Sequence, residues 1–241
     1  MKIIENKELI IKPLDKTIVQ NKDDPLPDTT SSFVWLISAA KGMGKSTALV
    51  NYLTKKKFML KKFHNVYIAS ATARNDEKWN RINLDSIAGF MSGTWDEDTI
   101  QGWAEEAREN AHDGQLSCLV CDDYASMLKS SPALQHWLLN SRHAKTSMFI
   151  TSQKMTLFPP IYRENADCFQ MFKPNTKLEL DFIADNILGP LTDKKNVEQL
   201  ISHAWKNDRS FIFVNRRHRP GRQIYINFDR VEFQHDAETE K

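Results

Sequence analysis

Apolar residues along this chain gather in short runs, each bounded by polar or glycine-containing stretches. FVWLIS (33–38), NVYIAS (65–70), LSCLVC (116–121), SMFITS (147–152) and DCFQMF (167–172) each read as a buried strand. Short apolar runs of this kind suit a sheet covered on both faces. SFIFVN (210–215) and QIYINF (223–228) are two further strands, joined by RRHRPGR. Stretches of helical character lie between the strands. The first spans 45–57, and the second starts at Asp96 as cap, with acidic residues crowding its first turn, and ends before Gly114. A third begins with Pro132 in its first turn, and two more span 176–188 and 193–206, separated by Gly189-Pro190. Strands alternating with helices predict a three-layer α/β fold around a mainly parallel sheet. In such sheets ligands collect at the carboxyl ends of the strands, which directs attention to the residues there.

Both ends of the chain depart from this pattern. Residues 1–32 read as an N-terminal arm and linker: Glu8–Leu14 suits one short strand, and NKDDPLPDTTSS (21–32) is rich in turn formers. Residues 33–233 form the single large domain, and 234–241 a disordered tail. At 241 residues, with 41% hydrophobic and 27% charged residues, the chain can bury a core without a disulfide or metal staple. No repeat of 20–50 residues is present, which excludes a solenoid. The longest apolar run, Phe33–Ile37, falls far short of the ~20 residues that span a bilayer. MKIIENKELI carries charges where a signal peptide needs an apolar core. A soluble chain from a reducing compartment is expected. The net charge of +2 permits a nucleic-acid partner without demanding one.

The first strand runs into Ala39-Ala40-Lys41-Gly42-Met43-Gly44-Lys45-Ser46-Thr47. The end of this stretch matches the phosphate-loop pattern G-x-x-x-x-G-K-[ST], with Ala39 in place of the first glycine. The context is right, because the motif follows an apolar strand and opens a helix. Gly42 and Gly44 let backbone N–H groups turn inward around a phosphate, and the helix N-terminus adds its dipole. Lys41, Gly42, Met43, Gly44, Lys45, Ser46 and Thr47 are therefore the candidate nucleotide-binding residues. Lys45 would reach the β- and γ-phosphates, and the Ser46 hydroxyl would bind Mg²⁺.

A phosphate loop needs an acid for the magnesium shell, and Asp122-Asp123 ends an apolar strand. Asp122 is assigned to the metal and Asp123 to orienting the attacking water. Gln153 closes the following strand, where a neutral amide can contact both the γ-phosphate and the water. Arg142 stands at a helix end beside the site, placed to act on a neighbouring subunit's nucleotide. His143 either supports Arg142 or is simply a helix-end residue.

Two basic clusters suit DNA phosphates: Lys55, Lys56, Lys57, Lys61 and Lys62, and the hairpin arginines Arg216, Arg217, Arg219 and Arg222. Cys118 and Cys121, three apart on a strand, face opposite sides and read as core cysteines. The seven histidines contain no H-x₃-H pair that could build a zinc site. Trp95 and Trp103 read as core or interface residues.

Taken in order, AAKGMGKST, LVCDDYA and NSRHAKTSMFITSQK resemble the poxvirus-type genome-packaging ATPases of the FtsK–HerA superfamily. The resemblance covers residues 33 to about 172. It implies a RecA-like P-loop NTPase sheet, with one strand inserted between the phosphate-loop strand and the acidic-pair strand. It also implies ATP and Mg²⁺, a hexameric or pentameric ring, double-stranded DNA as cargo, and a capsid or portal-vertex partner. The place of action would be the viral assembly site in the host cytoplasm, or the virion itself. By motif position, Lys45 and Ser46 match the nucleotide site, Asp122 and Asp123 the acidic pair, Gln153 the sensor and Arg142 the finger. A helicase or partition motor would share this site, and a non-hydrolysing ATP-binding switch would keep the loop alone. A terminase-like nuclease ranks last, because the final 70 residues contain no acidic metal cluster.

Overall fold

The structure, a computed structural model, describes residues 24–207 and 209–233. The strand expected at Glu8–Leu14 and the tail at 234–241 lie outside the described residues. The described chain builds a nine-stranded sheet flanked by helices. In chain order the strands are β1 (Val34–Ser38), β2 (Asn65–Ser70), β3 (Gly89–Ser92), β4 (Ser117–Asp122), β5 (Thr146–Ser152), β6 (Cys168–Phe172), β7 (Phe211–Asn215), β8 (Ile224–Ile226) and β9 (Asp229–Arg230). Their order across the sheet is β3-β2-β4-β5-β1-β6-β7-β8-β9. Strand β5 thus lies between β1 and β4, as the resemblance implies. Strands β1 to β6 run parallel, so their carboxyl ends share one edge, whereas β7, β8 and β9 are antiparallel additions.

Alternation along β1 divides the interior into two cores. Val34 and Leu36 face one side, with Tyr67, Leu119, Trp137 and Met148. Trp35 and Ile37 face the other, with Leu49, Tyr52, Val120 and Phe149. Helices α2 (Glu97–His112) and α4 (Pro132–Asn140) cover the first core, and α1 (Lys45–Thr54) covers the second. Between α2 and α4 lies the single turn α3 (Met127–Ser130). The Glu97 carboxylate accepts from Ala133 N at 2.7 Å and Trp95 Nε1 at 2.8 Å, pinning the start of α4 to α2. Cys118 and Cys121 are buried in opposite cores, and with Cys168 they are free thiols. Among the described residues no helix is long and apolar enough to cross a membrane.

Several boundaries differ from the sequence reading. Helix α1 stops at Thr54, not at 57, because Lys55 adopts an extended backbone. The stretch 176–188 is α6 (Lys177–Ile183) continuing into a wider turn over Ala184–Leu188, and α7 spans Lys194–Ala204. Strand β3 and the short helix α5 (Pro160–Asn165) carry too little periodicity to be read. Gly89 in β3 is required by tertiary packing: a Cβ there would stand 2.4 Å from the Trp103 ring. Residues 24–32, read as linker, are tied to the domain. Asn215 Nδ2 donates to Pro25 O at 3.0 Å, and Arg217 donates to Ser31 Oγ at 2.8 Å and to Ser32 O.

Candidate nucleotide site

The loop from β1 to α1 lies at the carboxyl edge of the parallel strands. Gly42 (φ 83°) and Gly44 (φ 110°) occupy left-handed backbone, where any side chain would be strained. Ala39 is not in that region; it is buried, and its N–H donates to Ser152 O at 3.1 Å. Alanine therefore fits the position where the pattern has its first glycine.

Helix α1 opens with the two residues that carry the chemistry. The Lys45 ammonium is buried, 3.1 Å from Asp123 Oδ1, and donates to Ala39 O at 3.4 Å. Ser46 Oγ donates to Asp122 Oδ2 at 3.4 Å. Asp122 itself is fully buried at the end of β4. Thr151 Oγ1 donates to its Oδ1 at 2.7 Å, and Ser70 Oγ to its Oδ2 at 3.2 Å. Burial and the neighbouring Asp123 charge push the Asp122 carboxyl above its usual range, while Thr151, Lys45 and Ser70 pull it back. Asp123 leaves the strand in left-handed backbone (φ 59°), and its N–H donates to Thr151 Oγ1 at 3.2 Å.

This donor set fits a magnesium ion. Hard cations take oxygen ligands, and here a serine hydroxyl and a buried carboxylate oxygen meet beside the phosphate loop. The Asp122 hydrogen bonds come from neutral hydroxyls, so a divalent ion would supply the positive charge that its burial requires. The loop, Asp123 and the exposed Gln153 line one cleft of about 1280 Å³, which Lys55 and Lys57 of the first basic cluster also reach.

The arginines singled out in the sequence lie elsewhere, whereas Arg209, before β7, lines the cleft. Arg142 is 79% exposed and its Nη2 stands 3.9 Å from Asp167 Oδ1. Asp167 precedes β6, so Arg142 is at the amino edge of the parallel strands and not beside its own chain's phosphate loop. Six strand steps along β5 put about 20 Å between the two edges. The hairpin arginines are at this same edge, and two of the four bond to their own chain. Arg217 Nε donates to Asp167 Oδ1 at 2.8 Å, and Arg216 Nη1 donates to Arg163 O at 3.1 Å and Ala166 O at 3.3 Å. Arg216 and Arg219 are exposed, and Arg217 and Arg222 half-buried.

Sequence reasoning missed the hydroxyls of Ser70 and Thr151 as partners of Asp122. Their signal is a polar residue at the carboxyl end of an otherwise apolar strand. It also missed the phenyl rings of Phe172, Phe211 and Phe228, which line the cleft.

No known family profile and no curated protein matches the sequence. Solved structures do. The DNA-packaging ATPase B204 of Sulfolobus turreted icosahedral virus is 17% identical, with a TM-score of 0.61 over 85% of this chain and 100% of that one. The genome-packaging NTPase B204 of Sulfolobus turreted icosahedral virus 2, in complex with ATP-γS, is 16% identical with a TM-score of 0.59. That match covers 81% of this chain and 96% of the other. The conjugation coupling protein TcpA of pCW3, with ATP-γS, is 10% identical with a TM-score of 0.54, covering 86% of this chain and 62% of that one. The fold is that of a P-loop NTPase, shared with these packaging and conjugation proteins.

Proposed function

We propose that this chain is a Mg²⁺-dependent ATPase that works in a ring to drive double-stranded DNA, most simply a viral genome, into a preformed capsid. The observation that carries this reading is the pairing of Lys45 with Asp123 and of Ser46 with Asp122 at one end of a nucleotide-sized cleft. The packaging and conjugation proteins that share the fold support the choice of cargo. A capsid or portal-vertex protein would be the further partner.

ATP phosphates would enter the turn at Lys41–Thr47, and Lys45 would exchange Asp123 for the β- and γ-phosphate oxygens. Asp123, released from the ammonium, would accept a hydrogen bond from the attacking water. Oxygen attack on the γ-phosphorus breaks the bond to the β-phosphate oxygen and yields ADP and phosphate. Lys45 stabilises the charge that gathers on the leaving oxygens. Ser46 and Asp122 would hold Mg²⁺, which when bound neutralises phosphate charge. Gln153, exposed in the same cleft, would contact the γ-phosphate and report its loss. Arg142, remote from its own loop, suits a role on the adjacent subunit's nucleotide. Arg216, Arg219 and Arg222 remain as hairpin cations for DNA phosphates.

The test is phosphate release from Mg-ATP with and without linear duplex DNA, for the full chain and its Lys45→Ala and Arg142→Ala variants. DNA-stimulated turnover that vanishes in Lys45→Ala is the expected result. Arg142→Ala subunits should also inhibit wild-type subunits when mixed. ATP binding without turnover at every protein concentration would replace the motor with a nucleotide switch.

A further inference from the structure

The cleft extends beyond the phosphate loop, and one of its walls is a row of phenyl rings. Phe172 Cε1 comes within 4.0 Å of where a Cβ on Gly44 would stand. From Phe172 the row steps to Phe211 at 5.3 Å between ring centroids, then to Phe228 at 5.1 Å, then to Phe58 at 5.9 Å. All four rings line the cleft. Phe211, Phe228 and Phe58 are only half-buried, so part of each ring faces the opening. A nucleotide whose phosphates occupy the loop directs its base away from them, and this row leads away from the loop.

Phe228 is delivered in an unusual way. Ile226 of β8 pairs with Asp229 of β9, leaving Asn227-Phe228 as a two-residue turn with φ of 51° and 76°. Such turns favour asparagine followed by glycine, and a bulky residue in the second position is strained. The surroundings hold it nonetheless. Asn227 Oδ1 accepts from Phe211 N at 3.0 Å and Ser210 Oγ at 3.3 Å, tying the turn to the start of β7. Behind the ring, Phe213 and Trp35 pack at 5.0 and 6.1 Å. A glycine would make the easier turn; phenylalanine there holds a partly exposed aromatic ring at the cleft.

We infer that Phe228, flanked by Phe58 and Phe211, is the platform on which the base of the bound nucleotide stacks, and that this stacking sets the site's preference for a purine over a pyrimidine base. The inference rests on the phosphate-loop reading and adds the residue that selects the base. A two-ring purine covers more of the phenyl face than a pyrimidine does, so stacking alone favours ATP over CTP without hydrogen bonds to the base edge.

The test is calorimetric titration of the full chain with Mg-ATP, Mg-CTP and Mg-tripolyphosphate, which has no base. Phe228→Leu keeps the apolar bulk and removes the aromatic face; Phe228→Trp keeps the face. In Phe228→Leu the affinity for ATP should fall about tenfold, the preference for ATP over CTP should shrink, and tripolyphosphate should bind as before. Phe228→Trp should retain ATP binding. Unchanged ATP affinity in Phe228→Leu would overturn the platform, and so would equal losses for ATP and tripolyphosphate, which would mean that the ring only props up the loop. Wild-type protein that bound tripolyphosphate as tightly as ATP would overturn the platform and leave the phosphate loop standing. Wild-type protein that bound neither would overturn both.

Discussion

Two buried aspartates stand at opposite edges of the same sheet, and their surroundings differ in kind. Asp167, at the amino edge, accepts from Arg217 Nε at 2.8 Å and, through its other oxygen, from Val34 N at 2.9 Å. Its charge is met by a guanidinium of its own chain, and it clamps β1, β6 and the hairpin after β7 together. Asp122, at the carboxyl edge, has three hydroxyls and no cation of its own; the nearby ammonium of Lys45 pairs with Asp123 instead. A carboxylate whose charge the fold has already matched is structural. One that is solvated by hydroxyls and left short of positive charge is prepared for a ligand that brings it.

Exchanging the two carboxylates for neutral residues should separate activity from stability. Asp122→Asn is expected to cut ATP turnover by about a hundredfold or more, by removing the charge that opposes the phosphates' counter-ion. Its midpoint in chemical denaturation should be no lower than wild type, because a neutral amide avoids burying a charge. A large loss of stability would place Asp122 with Asp167 as scaffold. Asp167→Ala should do the reverse, with a loss of about 3 kcal/mol in urea unfolding from removing the counter-charge of Arg217 and stranding the Val34 N–H. The folded fraction should still bind nucleotide, and failure to do so would mean that the two edges are coupled.

The smallest effect concerns His218, at the same edge as Asp167. Its Nε2 faces Asn215 Nδ2 at 3.3 Å, so Nε2 is assigned as the acceptor, while Nδ1 faces Tyr225 Oη at 2.6 Å. Burial holds the imidazole below its usual pKa, against opposing contributions from Arg222 O and Asp24. The unfolded chain therefore takes up this proton first. The stabilising contribution is complete above the ordinary histidine value of about 6.5 and is lost as pH falls toward the folded value. Stability followed from pH 7 to 5 should decline less steeply in His218→Gln than in wild type. Parallel curves would show that the ring titrates as freely folded as unfolded.

How much of this was legible beforehand depended on whether the cause was local. The turn at Gly42 and Gly44, the strand ending in Asp122 and the proline-led start of α4 each depend on residues within a few positions of one another, and each could be read. At Ser131 the hydroxyl accepts from Leu134 N at 3.0 Å, three residues on. The partners of Asp122 could not be read, since Ser70 and Thr151 stand 52 and 29 residues away. Nor could the role of Arg217, which resembles an exposed hairpin cation until Asp167, 50 residues earlier, is seen beside it.

By itself, then, the sequence determined seven of the nine strands, the parallel α/β class, the phosphate turn and the acidic pair. Hydrophobic periodicity and glycine backbone freedom act over short spans, and every chain segment carries them in its own residues. Tertiary structure alone decided which edge of the sheet each charge occupies. Strand order put β5 between β1 and β4, which brought Thr151 to Asp122 and sent Arg142 to the far edge. The two-residue turn after β8 then puts an aromatic ring where local preference asks for glycine. Such outcomes come from register and packing between segments far apart in the chain, and no single segment encodes them.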